Sequence, residues 1–424
     1  MTCINVKSYG CSANTADAEI IKGLLKNKGY SIINSARDSD LNIILTCIVK
    51  TPTEHNMKKQ IKKLNRNNKP LIIAGCMPKA MKKQVMELAP SASLIGPDDI
   101  LKIVESVKRT LEGFRVDYTN GSPTDRTCLP RIRDNKLVHI QPICTGCVGD
   151  CNYCIVKYAR GKLFSFNPDK IREDVETALK EGCKEVWITA EDTAAYNYDG
   201  IRLPHLLEMI TDIPGSFRVR VGMMTPNQLN PILNDLIKAY KNEKIFKFIH
   251  IPIQSGNNKV LKGMNRRYTV EEFQTIVNKL RKIFPRIGIS TDIICGYPGE
   301  TMEEFQDSLE LVKWLKPDVL NISRFWPRPG TKAAEMQGVL HGRETKERSR
   351  ILTTIWKKLS VEVGEKWIEW EGDILLDEDG WGNTRVGRNY AYKAVGIESD
   401  ATLGKFVKVR VTSSGTGYLE AEIV

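Results

Sequence analysis

Across residues 1–113, apolar runs alternate with helical patterns. Short apolar runs fall at 3–8, 41–45 and 71–74, with a weaker one at 93–95. Between them, Ile20, Ile21, Leu24 and Leu25, and then Met57, Ile61 and Leu64, recur at helical spacing. Strand-then-helix units repeated in this way predict a parallel sheet with helices on its faces. A polar stretch over 115–135, with Pro123 and Pro130, reads as a linker. The alternation then resumes. Strands are predicted at 138–143, 185–189, 217–223, 246–253, 287–294 and 319–325, and helices at 168–181, 203–211, 231–240, 270–283 and 303–314. Six such units suit a parallel barrel that stays open short of the eight-fold ring. A basic helix over 344–356 follows. Beyond it the helical period is lost. Residues 362–424 carry short alternating runs, with turn signals at Asp379-Gly380 and Ser414-Gly415. A small five-stranded β-barrel is the expected form. The reading is an α/β chain in three domains, 1–113, 135–360 and 362–424.

Cysteines mark the strand ends. Cys11, Cys47 and Cys76 each lie just beyond the carboxyl end of a predicted strand in the first domain, and glycine stands beside two of them, as Gly10-Cys11 and Gly75-Cys76. Loops at those ends converge on one edge of a parallel sheet, where such folds bind ligands. Three thiolates from three loops are thereby offered to one metal centre. In the second domain the first predicted strand runs into Cys147, Cys151 and Cys154, a C-x3-C-x2-C run. Three thiolates so close can hold three corners of a four-iron cluster. Four cysteines are usual, so the fourth iron is left open to a small molecule. Tyr153, between the last two ligands, is placed to pack on a bound cofactor. Cys144 extends the run to two C-x2-C pairs, a pattern also open to a zinc knuckle, but only three residues separate the pairs. Cys144, Cys3, Cys128, Cys183 and Cys295 are expected to be packed thiols. Polar or glycine-rich segments end other strands: Glu191 and Asp192 after the second, Gln254 after the fourth, Asp292 within the fifth, and Arg328-Pro329-Gly330 after the sixth.

Composition adds two constraints. Eleven cysteines without a secretory signal point to a reducing compartment and to metal binding rather than disulfides, so the cytoplasm is the expected location. No apolar run is long enough to span a bilayer. The net charge of +12 suggests a polyanionic partner. Basic clusters occur at Lys58, Lys59, Lys62, Lys63 and Arg66, and at Arg343, Lys346, Arg348 and Arg350. Residues 362–424 run the other way, with seven Lys or Arg against twelve Asp or Glu. If that barrel grips RNA, the candidate face is Lys405, Lys408 and Arg410.

The Cys147–Cys154 run followed by Ile155-Val156-Lys157-Tyr158-Ala159-Arg160-Gly161 resembles the radical S-adenosylmethionine (SAM) methylthiotransferases. The three spaced N-terminal cysteines and a C-terminal RNA-binding barrel, called TRAM in that family, complete the resemblance, which covers nearly the whole chain. Met264-Asn265-Arg266-Arg267-Tyr268, residues 291–301 and Arg328-Pro329-Gly330-Thr331 are similar to the archaeal and eukaryotic branch, which acts on N6-threonylcarbamoyladenosine beside the anticodon of tRNA. Two positions depart from the family pattern: Lys157 where proline is frequent, and Ala190 where serine often stands.

The resemblance implies two [4Fe-4S] clusters, one on Cys147, Cys151 and Cys154 that binds SAM, and an auxiliary one on Cys11, Cys47 and Cys76 that carries the sulfur to be inserted. These six cysteines are the catalytic and metal-binding candidates. Tyr153, Glu191, Asp192, Gln254 and Asp292 are the candidate SAM-pocket residues; for the last four, a loop-capping role is the alternative. The implied partners are the anticodon loop of tRNA and an electron donor such as a ferredoxin or flavodoxin. Two other readings remain open on sequence: methylthiolation of a ribosomal protein side chain, and a non-catalytic iron–sulfur RNA-binding redox sensor.

Overall fold

The computed structural model describes every residue except Lys50, and of residues 51–53 only the backbone. Six parallel strands form the N-terminal sheet, in the order Ser31–Ile33, Cys3–Ser8, Leu41–Thr46, Leu71–Gly75, Ser93–Ile95 and Asp117–Tyr118. Leu41–Thr46 and Leu71–Gly75 are buried along their whole length, and this burial explains their nearly unbroken apolar sequence. One sheet face is covered by the helix Ser12–Asn27 through Ile20, Ile21 and Leu25, with Ile103 and Val107 beside them. On the other face lie Ile61, Leu64, Met77 and Val85. Strand order reverses between Cys3–Ser8 and Leu41–Thr46, which creates the crevice at which doubly wound sheets take ligands. The two outermost strands, of three and two residues, are too short to leave a periodic signal.

The central region holds two three-stranded parallel sheets. One joins Val138–Pro142, Glu185–Thr189 and Arg218–Val221; the other joins Phe248–His250, Gly288–Cys295 and Val319–Arg324. A parallel bridge from Val219 to Ile245 links them into one curved, six-stranded half-barrel. The strand expected over 246–253 is shorter, Phe248–His250, with Pro252, which has no amide hydrogen to donate, just beyond it and Gln254 in a left-handed backbone (φ 74°). Helix starts are defined locally. Thr269 with Glu272, and Thr301 with Glu304, form reciprocal capping boxes ahead of Val270–Ile283 and Met302–Leu315.

The stretch expected to be a linker is instead pinned down. Arg126 is buried and pairs with Asp17 at 2.7 Å. Ile132 donates to the Glu19 carbonyl at 3.0 Å, and Arg131 pairs with Asp174 at 2.8 Å. The basic helix runs longer than expected, over Gly342–Glu365, and Arg348 is no solvated cation: it is buried against Glu300 at 2.8 Å.

Five strands, Glu371–Asp379, Thr384–Arg388, Ala394–Glu398, Phe406–Ser414 and Tyr418–Ile423, close the C-terminal barrel. It docks on the amino ends of the half-barrel strands. Lys247 donates its amide to the Tyr390 carbonyl at 2.7 Å, Lys393 pairs with Asp318 at 2.8 Å, and Arg220 stacks between Trp187, Phe248 and Tyr392. That docking leaves the carboxyl ends of the strands free for chemistry.

Candidate metal centres

Cys11, Cys47 and Cys76 come together at the switch-point crevice. Cys76 opens its helix directly after Gly75, whose backbone (φ 88°) and close approach to the Thr46 carbonyl, 2.7 Å from where a Cβ would lie, admit only glycine. Gly10 is similar: at φ 107°, a Cβ there would come within 2.7 Å of Cys47 Sγ. Cys47 and Cys76 are buried and Cys11 is exposed. Burial pushes the Cys76 thiol up to about 12, opposed chiefly by the charge of the Arg160 guanidinium; Cys11 and Cys47 raise it further. The charges acting on Cys11 are those of Arg160, Cys47 and Glu191. The three thiols thus share one neighbourhood.

Cys147, Cys151 and Cys154 sit on the loop after the first half-barrel strand. Gly149 lies among them: a Cβ there would come 3.3 Å from Cys147 Sγ and 3.7 Å from Cys151 Sγ, so glycine preserves space that a side chain would fill. The Gly149 amide donates to Cys147 Sγ at 3.2 Å, and Arg266 Nη1 donates to Cys151 Sγ at 3.0 Å. Burial pushes Cys147 up to about 11; Cys154 is also raised, by burial and then by Cys151, while the amides of Val156 and Lys157 oppose. Iron binds thiolates, so loading this site displaces protons. Lys157, in the position where proline is frequent, pairs with Asp150 and closes the loop on itself. A groove of about 740 Å³ opens beside Cys147, flanked by Val148, Lys157, Tyr158 and Lys162.

One short helix, Val156–Arg160, connects the two places. Cys154 precedes it. Arg160 ends it, donating to Asn14 Oδ1 at 3.0 Å and Asp17 Oδ2 at 3.2 Å, with Glu191 Oε1 3.6 Å away. Each triplet offers three thiols and no imidazole or carboxylate ligand of its own, the donor chemistry that iron–sulfur clusters take. Among the described residues no three His, Cys, Asp or Glu side chains are grouped to hold a single metal ion.

The sequence profile of the Radical SAM superfamily matches residues 142–312, and that of an uncharacterized protein family, UPF0004, matches residues 3–96. The probable threonylcarbamoyladenosine tRNA methylthiotransferase of Pyrococcus horikoshii is 39% identical over 429 residues, covering 100% of both chains. The human threonylcarbamoyladenosine tRNA methylthiotransferase is 35% identical over 99% of this chain and 73% of its own. The chain belongs to the threonylcarbamoyladenosine tRNA methylthiotransferases. In fold, a radical SAM methyltransferase from Kitasatospora setae solved with tryptophan and a SAM analogue aligns with a TM-score of 0.60, at 15% identity, over 79% of this chain and 75% of that one.

In this methylthiotransferase the candidate pocket residues divide. Tyr153 packs against the cluster of Val260, Met264, Tyr297, Phe325 and Ala333, with the Arg266 charge beside it. Asp192 is a cap: it accepts from the Ala194 and Thr225 amides at 3.2 Å each and from the Thr225 hydroxyl at 2.5 Å. Burial raises its carboxyl to about 6. Glu191 turns the other way, towards Arg160 and Cys11, and its Oε2 is buried with no hydrogen-bond partner among the described residues. Asp292 accepts from Asn321 Nδ2 at 2.7 Å and lies 3.0 Å from His250 Nε2. Gln254 contributes its backbone, which bridges to residues 292 and 294.

Sequence reasoning missed Arg160, Arg266 and Thr225 as individual site residues. Arg160 and Arg266 lay in stretches that carried the resemblance, yet only contacts in the fold single them out, Arg266 with Cys151 Sγ and Arg160 with Asn14 and Asp17. Among the expected packed thiols, Cys128 differs: it is exposed, on a left-handed residue (φ 55°). The expected basic face of the barrel is internally neutralised, since Arg410 pairs with Glu371 at 2.6 Å and Lys408 lies 4.0 Å from the same carboxylate.

Proposed function

We propose that this protein methylthiolates C2 of N6-threonylcarbamoyladenosine next to the anticodon of tRNA, and that it carries two [4Fe-4S] clusters. The observation carrying this reading is the pair of cysteine triplets at opposite ends of one five-residue helix, in a chain whose full-length relatives bear that activity in their names.

Cys147, Cys151 and Cys154 hold the cluster that binds SAM; Cys11, Cys47 and Cys76 hold the auxiliary one. When bound, these groups supply radical and sulfur-transfer chemistry, which the strong, non-acidic C–H bond at C2 requires. The protein positions and insulates. Arg266 fixes Cys151 by its hydrogen bond. Asp192 and Thr225 lock together the loops after two neighbouring strands. Tyr153 and its apolar neighbours wall the loop on one side. Arg328 reaches from the end of the last half-barrel strand to Glu54 and the Val49 carbonyl, and so holds the first domain over the strand ends. We assign the three domains to 1–113, 135–360 and 362–424.

An anticodon-loop base can leave its stack to reach such a site. Lys59, Lys62, Lys63 and Arg66, exposed on the helix Thr51–Asn65 and just beyond it, provide cations for the phosphates. A ferredoxin or flavodoxin delivers the electron, in the cytoplasm. Among the described residues no helix is long and apolar enough to cross a membrane.

The test is nucleoside mass spectrometry of tRNA from the host with and without the gene. Loss of the methylthio mark on threonylcarbamoyladenosine supports the reading. An unchanged nucleoside profile removes it.

A further inference from the structure

The guanidinium of Arg160 is a buried charge, with 3% of its side chain exposed, that the reaction itself does not call for. Its surroundings are specific. Asp17, equally buried, accepts from it at 3.2 Å, Asn14 accepts at 3.0 Å, and Glu191 lies at 3.6 Å. Asp17 is shared with a second buried cation, Arg126, at 2.7 Å. Two arginines and two carboxylates balance. A buried pair network of this kind gives little net stability over apolar packing, so its stabilising value alone does not account for it.

The same guanidinium charge acts on the Cys76 thiol, and its helix packs through Ile155 and Ala159 against Cys76 and Met77. Asn14, Asp17 and Cys76 all belong to the N-terminal domain, whereas Arg160 and Glu191 belong to the half-barrel. Asn14 is itself fastened at Nδ2 to the carbonyls of Tyr9 and Thr46, at 2.9 Å each, the residues leading into the Cys11 and Cys47 loops. Arg160 thereby reaches the loops of Cys11 and Cys47 through one side chain, while its own helix packs beside Cys76. Arginine suits such a position because its planar fork serves several acceptors at once and does not lose its proton.

We infer that Arg160 is a positioning residue for the auxiliary cluster, whose guanidinium, brought from the other domain, steadies the Cys11 and Cys47 loops through Asn14 and raises the reduction potential of the iron–sulfur group held by Cys11, Cys47 and Cys76. The physical basis is electrostatic. A buried cation beside cluster thiolates favours the more negative, reduced state, and the charge around a cluster is a recognised lever on its potential. This inference rests on the two-cluster reading above.

The experiment uses the full chain with Cys147, Cys151 and Cys154 all changed to alanine, so that only the auxiliary group is observed. Iron and sulfide are reconstituted anaerobically, and the midpoint potential is read by dithionite titration followed by electron paramagnetic resonance. Arg160→Gln is expected to lower the potential, Arg160→Lys to recover part of the shift, and Arg126→Gln, which disturbs Asp17 without releasing Asn14, to leave it nearly unchanged. An unaltered potential in Arg160→Gln at full iron content overturns the proposal. So does an equal shift in Arg126→Gln. If Arg160→Gln yields no folded chain, Arg160→Lys decides on the same criterion. If the alanine background binds no iron even with Arg160 intact, the two-cluster reading fails and takes this inference with it, a result distinguishable from a shift that is merely absent.

Discussion

Arg328 and Glu54, separated by 274 residues, form a buried ion pair between the half-barrel and the N-terminal domain. Burial alone would raise the Glu54 carboxyl; Lys58 and Arg328 outweigh it, and its pKa lies below the ordinary value. Breaking a buried pair from one side leaves the other charge uncompensated, at a cost of about 3–5 kcal/mol. Lys58 remains beside Glu54, so Arg328→Ala should lose about 3 kcal/mol or somewhat less in urea denaturation. The sign with pH follows. A depressed carboxyl contributes stability above its unfolded pKa and loses it as pH falls through the folded one. The gap between wild type and Arg328→Ala should therefore narrow on acidification below pH 4.5, the ordinary value. A gap that widens in acid would contradict this account.

The two cysteine triplets should separate two activities. Alanine at Cys147, Cys151 or Cys154 is expected to abolish SAM cleavage, read as 5′-deoxyadenosine. Alanine at Cys11, Cys47 or Cys76 is expected to leave deoxyadenosine formation while methylthiolated nucleoside disappears. Each class should lose about half of the reconstituted iron. Equal loss of both products in both classes would remove this division of labour.

Phosphate contact by the helix Thr51–Asn65 and the adjoining Arg66 predicts a salt signature. Replacing Lys62, Lys63 and Arg66 by glutamine should weaken tRNA binding and flatten the dependence of log Kd on log salt by about 0.7–0.9 per lost contact. Arg410→Gln, whose charge is already taken up by Glu371, should change neither. Filter binding across a salt series distinguishes them.

Docking of the C-terminal barrel has its own titration. Glu185 is buried against Asp377 at that interface, and its carboxyl is raised to about 7, first by burial and then by the Asp377 charge. A raised acid binds its proton more tightly in the folded state, so stability falls as pH rises from 4.5, its ordinary value, to about 7 and then levels. Glu185→Gln keeps an acceptor for Trp187 Nε1 and should raise the melting temperature at pH 8 by roughly 2–4 °C, with no gain at about pH 4.5. Calorimetry at the two pH values decides it.

Much of the architecture was legible because it is written in local periodicity. Leu203–Thr211 and Val270–Ile283 carry amphipathic stripes with definite starts, and they emerged with the expected bounds. Thiol positions were legible too, since a residue following a parallel strand is delivered to one edge whatever its side chain. What stayed hidden depends on tertiary contact. Arg348 sits among exposed cations in sequence and becomes buried only because Glu300 arrives from another element. Glu191 and Asp192 are adjacent and chemically alike, yet one faces Arg160 and the other Thr225. The polar stretch after residue 115 reads as loose, and its order comes from Asp17 and Glu19 on a distant helix.

A helix advances about 1.5 Å per residue, so the five residues from Val156 to Arg160 measure out about 7.5 Å of main chain between the Cys154 loop and the Arg160 side chain. That interval is covalent. Bending within the half-barrel cannot stretch it, and a single inserted residue would swing Arg160 about 100° around the axis, away from Asn14 and Asp17. The segment acts as a fixed ruler on its own side, so any give between the two domains falls on the polar contacts that Arg160 makes across the boundary.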